Sequence, residues 1–297
     1  MTARNYLRGT FRFLLPLLYG RSRFRLFLKT SLGDIDLRLQ QLASVVDFFS
    51  KVLRPIRVQA PFGESMLVVA PHQDDETIGC GGAMALQRRS GRAVSVVILN
   101  DGAIEHEDLG MERRELERLR NDESRRAADA LDIPAPSFLG HADLQADASR
   151  IAEELAEILR ARKIDVVFTP FVLDTQPDHR RANYIVAEAL RKVDWNIRVL
   201  GYEVWGFCVP NVIVAIDDVM ELKVRALACF EFANRAVNYT WSTQGVNMYR
   251  SRFTEVGACR YAECFFEAPR EEFIALVAKV QAAEIGAGQA ISSGAQR

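Results

Sequence analysis

From Ser65 onward, short apolar runs alternate with longer amphipathic ones. Met66–Ala70 (MLVVA), Val94–Leu99 (VSVVIL) and Val166–Thr169 (VVFT) are nearly continuous apolar runs, the pattern of strands buried on both faces. Ser137–Leu139, Arg198–Val204 and Asn211–Ile216 predict further strands. Helices are predicted over Thr77–Arg89, Leu109–Leu131, Ile151–Arg162, His179–Arg191, Val219–Phe232 and Arg270–Ile285. In the second of these, Leu116, Leu119, Ala127, Ala130 and Leu131 can share one face. Strands alternating with helices imply βαβ units, hence an α/β fold with a mostly parallel sheet and helices on both faces. Residues 233–268 show several aromatics but no clear period. From Gly286 the chain (GAGQAISSGAQR) is small and polar, the composition of a disordered tail.

A chain of 297 residues can bury a core without disulfide staples. The pattern divides it into a basic amphipathic extension (1–60), a single α/β domain (61–285) and a tail (286–297). Lys plus Arg number 38 against 39 Asp plus Glu, a balance that argues against a general nucleic-acid binder. The balance hides an asymmetry: residues 1–57 carry eleven basic and three acidic groups, a net +8. Their arginines interleave with Phe11, Phe13, Phe24 and Phe27. Basic plus bulky apolar residues suit a helix lying on an anionic membrane. A surface helix packed on the domain, or a docking arm for a partner subunit, fits as well. No apolar run reaches the length of a transmembrane helix. Arg21, Arg23 and Arg25 stand where a signal peptide would have its small-residue cleavage site. Five cysteines, an odd number without a CxxC pair, fit a reducing cytoplasm. The expected location is therefore cytoplasmic, with possible peripheral contact at the inner face of the membrane. An oligomer is compatible with the pattern.

The chemistry concentrates in Pro71-His72-Gln73-Asp74-Asp75-Glu76-Thr77, which follows the MLVVA strand. Open α/β sheets bind ligands beyond the carboxyl ends of their strands. His72 and Asp75 can converge there, and imidazole plus carboxylate suits Zn²⁺, with Fe²⁺ or another divalent ion also possible. Asp74 would stand beside such a metal, free to take a proton from bound water. Gly79, Gly81 and Gly82 would leave a ligand's path to the backbone clear. A plainer reading makes Asp75 a helix N-cap. His179, in Asp174-Thr175-Gln176-Pro177-Asp178-His179, holds the same position after the VVFT strand. If the two strands are neighbours, His72, Asp75 and His179 meet, and Asp178 can orient an imidazole. Alone, His179 would read as a cap or surface histidine. Asp143, after Leu139-Gly140-His141, is a candidate hydroxyl acceptor. Trp205, Asn211, Tyr249, Arg250 and Glu263 could roof the cleft. No dinucleotide fingerprint, P-loop or GxSxG elbow is present.

HQDDETIGCGG and the later QPDH resemble the two signatures of the PIG-L/LmbE-like deacetylases. Between and after them come Asn100-Asp101-Gly102, Arg120-Asn121-Asp122-Glu123 and Tyr261-Ala262-Glu263 ahead of Phe265 and Phe266, in the family's order. The resemblance spans roughly residues 65–268. It implies a Rossmann-like fold, a single Zn²⁺ at the carboxyl edge of the strands, and hydrolysis of an N-acetyl group from an N-acetylglucosamine-type sugar or glycolipid. His72, Asp75 and His179 would be the ligands, Asp74 the general base, and Asp178 would sit behind the histidines. Asp101, Arg120, Glu123 and Glu263 would lie near the substrate. Two positions depart from the family pattern: Gln73 replaces a proline and Gln176 a histidine that helps the oxyanion. Gln176 can donate a hydrogen bond but carries no charge; His106 or His141 could compensate. Hydrolysis of a different amide, or a non-catalytic metal-binding subunit of a glycan-assembly complex, are the alternatives.

Overall fold

The computed structural model of the protein describes residues 55–103, 107, 110–255 and 257–294, with side chains as far as Glu284. Its strands are β1 (Ile56–Val58), β2 (Ser65–Ala70), β3 (Ala93–Asn100), β4 (Ser137–His141), β5 (Val166–Pro170), β6 (Arg198–Tyr202), β7 (Val212–Ala215) and β8 (Ala262–Pro269). They form one sheet in the order β1-β7-β8-β6-β5-β2-β3-β4. Every neighbouring pair is parallel except the two that β8 makes. The helices are α1 (Asp75–Arg89), α2 (Arg113–Ala130), α3 (Ala148–Ala161), α4 (Pro177–Arg191), α5 (Met220–Ala228), α6 (Glu231–Asn234), α7 (Tyr239–Ser251) and α8 (Arg270–Gly294).

The central strands supply two cores by simple alternation. In β2, Leu67 and Val69 face a core shared with Leu155 and Leu159 of α3, Ile185 and Leu190 of α4, and Phe273 and Val277 of α8. Met66, Val68 and Ala70 face the opposite core, with Ala83 and Met84 of α1, Ala127 of α2 and Ala226 of α5. This is why MLVVA is apolar throughout: both faces are covered.

Three elements differ from the sequence expectation. The sheet begins at Ile56, inside the stretch read as an extension, because β1 pairs with β7. The unassigned region holds α7 and β8, and β8 inserts antiparallel between β6 and β7. The last helix continues to Gly294, through most of the stretch read as a tail. The basic segment before Pro55, with its proposed membrane contact, and His106 lie outside the described residues. Among the described residues no helix is long and apolar enough to cross a membrane.

Candidate active site

β2 lies between β3 and β5, so the connections after β2 and after β5 leave the sheet side by side. This is the switch point at which open α/β sheets form their crevice. The condition set by the sequence is met: β2 pairs with β5 in parallel, Met66 opposite Val166. His72 sits in the turn after β2, and His179 in the first turn of α4.

Donor atoms of His72, Asp75 and His179 all lie within 4.8 Å of one another. The Asp75 carboxylate stands between the rings, Oδ2 3.2 Å from His72 Nδ1 and Oδ1 3.3 Å from His179 Nε2. Asp75 caps nothing: the N-cap position of α1 belongs to Asp74, whose side chain makes no cap bond. His179 is fully buried, and its Nδ1 lies 3.2 Å from Asp174 Oδ1. Both carboxylate contacts of His179 are short enough for ion pairing but angled away from a hydrogen bond, so its two nitrogens are unsatisfied. Burial alone would push His179 towards neutrality, yet the Asp75 and Asp174 carboxylates outweigh it and raise its pKa to about 10. Despite its own burial, Asp75 is held far below the usual carboxylate range by the two histidines. The cluster thus attracts positive charge where three donors converge and leaves a buried imidazole nitrogen unsatisfied. Two imidazoles and a carboxylate fit a divalent cation such as zinc.

Asp74 is nearly buried, with Arg120 Nη2 3.8 Å from its Oδ2. Burial, then the neighbouring Asp75 charge, raises its pKa to about 7 against the pull of Arg120. Its backbone sits at φ 120°, a region non-glycine residues occupy only when their surroundings impose it. Arg120 braces that turn, donating to the carbonyls of Gln73 (3.0 Å) and Gly102 (2.9 Å). Gln73 does not float free in place of proline: its Nε2 donates to Asn121 Oδ1 at 2.9 Å and to the Asp101 carbonyl at 3.2 Å.

Asp178 Oδ2 lies 3.1 Å from His72 Nε2, so it orients His72 rather than His179. Gln176 is the N-cap of α4, and its side-chain oxygen accepts from the Asp178 and His179 amides. Only its amide nitrogen remains for anything beyond the helix.

The other candidate side chains have different partners. Asp101 pairs with Arg113 at 2.5 Å, and Glu123 accepts from the Phe232 amide at 2.9 Å. His141 is buried at the end of β4 between Asp147 (2.9 Å) and Glu154 (3.3 Å). Asp143 is exposed and caps its own turn, accepting from Gln145 and Ala146. Asn211 is structural as well, bonded to the Glu267 backbone.

Glu263 mends a break in α1. The helix kinks at Cys80, where φ is −145°. Beyond the break, the Gly82 and Ala83 amides donate to the Glu263 carboxylate, each at 2.8 Å. Lys223, wholly buried, donates from Nζ to Glu263 (2.6 Å) and to the orphaned Ile78 carbonyl (2.8 Å). The glycines here serve packing: a Cβ on Gly79 would come 2.1 Å from the Tyr202 ring, and one on Gly82 2.6 Å from Ile216.

A cavity of about 190 Å³ opens beside this helix, walled by Ile78, Trp205, Phe207, Tyr239, Thr243 and Asn247 among others. Tyr239 is near enough to Asp74 and Asp75 for their charges to help burial raise its pKa to about 12. Of the residues expected to roof the cleft, Trp205 and Glu263 line it. Arg250 instead is buried against Glu203, and Tyr249 is exposed. Sequence reasoning left Asp174 unassigned, although it stands in the run that contains His179.

Residues 67–190 match the PIG-L family, GlcNAc-PI de-N-acetylase. A diacetylchitobiose deacetylase of Thermococcus kodakarensis is 28% identical over 218 residues, 67% of this chain and 79% of that protein. A 1D-myo-inositol 2-acetamido-2-deoxy-alpha-D-glucopyranoside deacetylase of Nocardia farcinica is 33% identical over 154 residues, 42% of this chain and 51% of that protein. The solved structure of N,N'-diacetylchitobiose deacetylase from Pyrococcus horikoshii shares the fold. It gives a TM-score of 0.61 at 23% identity, covering 80% of this chain and 95% of that one. The span matched to that family opens in β2 and closes in α4, so it takes in both strand ends that carry His72, Asp75 and His179.

Proposed function

We propose that this protein is a zinc-dependent hydrolase that removes the N-acetyl group from an N-acetylglucosamine-type sugar or glycolipid. The observation that carries the reading is Asp74, a buried carboxylate with raised proton affinity, standing next to a three-donor metal cluster. The sugar acetamides named for the two deacetylase relatives supply the substrate class.

His72, Asp75 and His179 would hold the metal and leave it an open position. A zinc ion bound there supplies an acidified water and polarises the acetyl carbonyl. Asp74 takes the proton of the attacking water on its carboxylate and returns it to the sugar nitrogen as the C–N bond breaks, giving acetate and a free amine. Arg120 holds Asp74 and its turn in place. The Gln176 amide N–H is the nearby neutral donor for the developing oxyanion. Asp178 keeps the His72 ring oriented, and the aromatic cavity receives the rest of the substrate.

The test is acetate release from a panel of N-acetylated sugars and glycolipids, with zinc-loaded protein beside Asp74→Asn. Zinc-dependent release that falls by about 10²–10⁴ in the variant is expected. Release by Asp74→Asn at the rate of the unaltered protein would remove Asp74 from the mechanism. No release from any panel member despite stoichiometric zinc would reject the sugar-deacetylase reading.

A further inference from the structure

We propose that Asp174 is a positioning residue that locks the His179 imidazole and the aromatic wall of the cavity into one register. The inference rests on the metal-centre reading above.

Asp174 lies on the loop between β5 and α4, its side chain wholly buried. Its two oxygens face opposite ways. Oδ1 is 3.2 Å from His179 Nδ1 and accepts from the Gln176 amide at 3.0 Å. Oδ2 accepts from the backbone amides of Trp205 and Gly206, each at 3.0 Å. Those amides belong to the loop that carries Trp205 into the cavity, where its ring meets Tyr239 edge-on with centroids 6.2 Å apart. The approach is close enough that a Cβ on Gly206 would come 3.1 Å from the Asp174 Cα. Arg180 donates to the backbone carbonyl of Asp174 and pairs its charge with Glu284. His179 is therefore the side chain that faces the carboxylate.

A buried carboxylate must be matched by donors on both oxygens. Were His179 to hold a metal through Nε2, its proton would stay on Nδ1, and the Asp174 carboxylate 3.2 Å away would favour that tautomer and limit the swing of the ring. The same carboxylate then holds residues 205–206, so a shift of the imidazole on metal loading is passed to Trp205. Asparagine at this position has one acceptor oxygen and cannot serve both sides at once.

The experiment uses the full chain labelled with 5-fluorotryptophan. The three tryptophans give three fluorine signals, and Trp205→Phe identifies the relevant one. Zinc is titrated into metal-stripped protein, and its affinity is read by competition with a chromogenic chelator. In the unaltered protein the Trp205 signal moves with zinc. In folded Asp174→Asn, zinc binding is expected to weaken about 10–100-fold, and the Trp205 response is lost. Affinity within about twofold of the parent, set against that 10–100-fold expectation, would overturn the proposal. So would an unchanged Trp205 response, or a parent protein that binds zinc without moving Trp205.

Should Asp174→Asn not fold, Gly206→Ala displaces the wall from the other side while sparing the imidazole contact. It is expected to blunt the Trp205 response, and a full response refutes the coupling. Neither readout contains substrate. A protein that shows the coupling but releases no acetate refutes only the deacetylase reading, whereas one that takes up no zinc refutes both.

Discussion

Substituting Lys223 by methionine tests whether the mended break in α1 is a closed electrostatic unit. The ammonium is wholly buried and its two described acceptors are Glu263 and the Ile78 carbonyl. Methionine fills the same space but leaves the Glu263 charge with only the Gly82 and Ala83 amides. Removing one partner of a buried pair costs about 3–5 kcal/mol, because the other charge stays buried without compensation. For a domain of this size, each kcal/mol lowers Tm by about 2–4 °C, so a fall of roughly 6–20 °C is expected. Glu263→Gln should cost a comparable amount, since its NH₂ group must face either an amide N–H or the ammonium. The double variant should then lose less than the two singles together, by about 0.5–3 kcal/mol. Urea unfolding of all four proteins, followed by circular dichroism, measures the cycle. A single-variant loss below about 1 kcal/mol, far under the 3–5 expected, or strict additivity in the double variant, would refute the closed unit.

Three further outcomes follow from the geometry. Stripping the metal with a chelator should lower Tm and adding zinc should restore it, since zinc at a hundredfold excess over Kd contributes about 2.7 kcal/mol; an unmoved Tm would place no metal in the cluster. Gly79→Ala should destabilise by about 1–3 kcal/mol through overpacking on the Tyr202 ring, and denaturant midpoints identical to the parent's would show that this contact yields freely. Trp205→Ala should raise KM more than it lowers kcat, because it removes a wall of the cavity and none of the cluster; initial rates showing the reverse split would take Trp205 out of substrate binding.

The central strands were readable because both of their faces are buried, which makes their sequence uniformly apolar. The grouping of His72, Asp75 and His179 was readable because these residues sit in two short runs, each soon after such a strand. β8 was not, because Glu263 and Glu267 interrupt it. Both acids are buried against partners far along the chain, Lys223 and Arg198. Helix α7 inverts the usual pattern. It buries Thr243, Asn247 and Arg250 and exposes Trp241, Met248 and Tyr249, so a search for an apolar stripe finds none. The glycines after HQDDE looked like room for a ligand, whereas their packing partners Tyr202 and Ile216 come from far along the chain. Asp174 carried no local mark, since its partners at 205–206 are brought to it by the crossover from β5 to β6.

The antiparallel insertion of β8 has a consequence for synthesis on the ribosome. β1 pairs with β7, and β7 joins the rest of the sheet through β8. Residues 56–58 therefore leave the ribosome long before residues 262–269, the strand that connects their partner to the sheet. At about 5–20 residues per second, the gap of roughly 200 residues lasts some 10–40 s. During that interval β2, β3, β4, β5 and β6 can assemble while the β6 edge stays open. Nascent chains halted near residue 250 should keep protease-sensitive backbone at 56–58 and 212–215, and chains halted after residue 269 has cleared the exit tunnel should lose it. The first strand of the described chain is thus seated by one of its last.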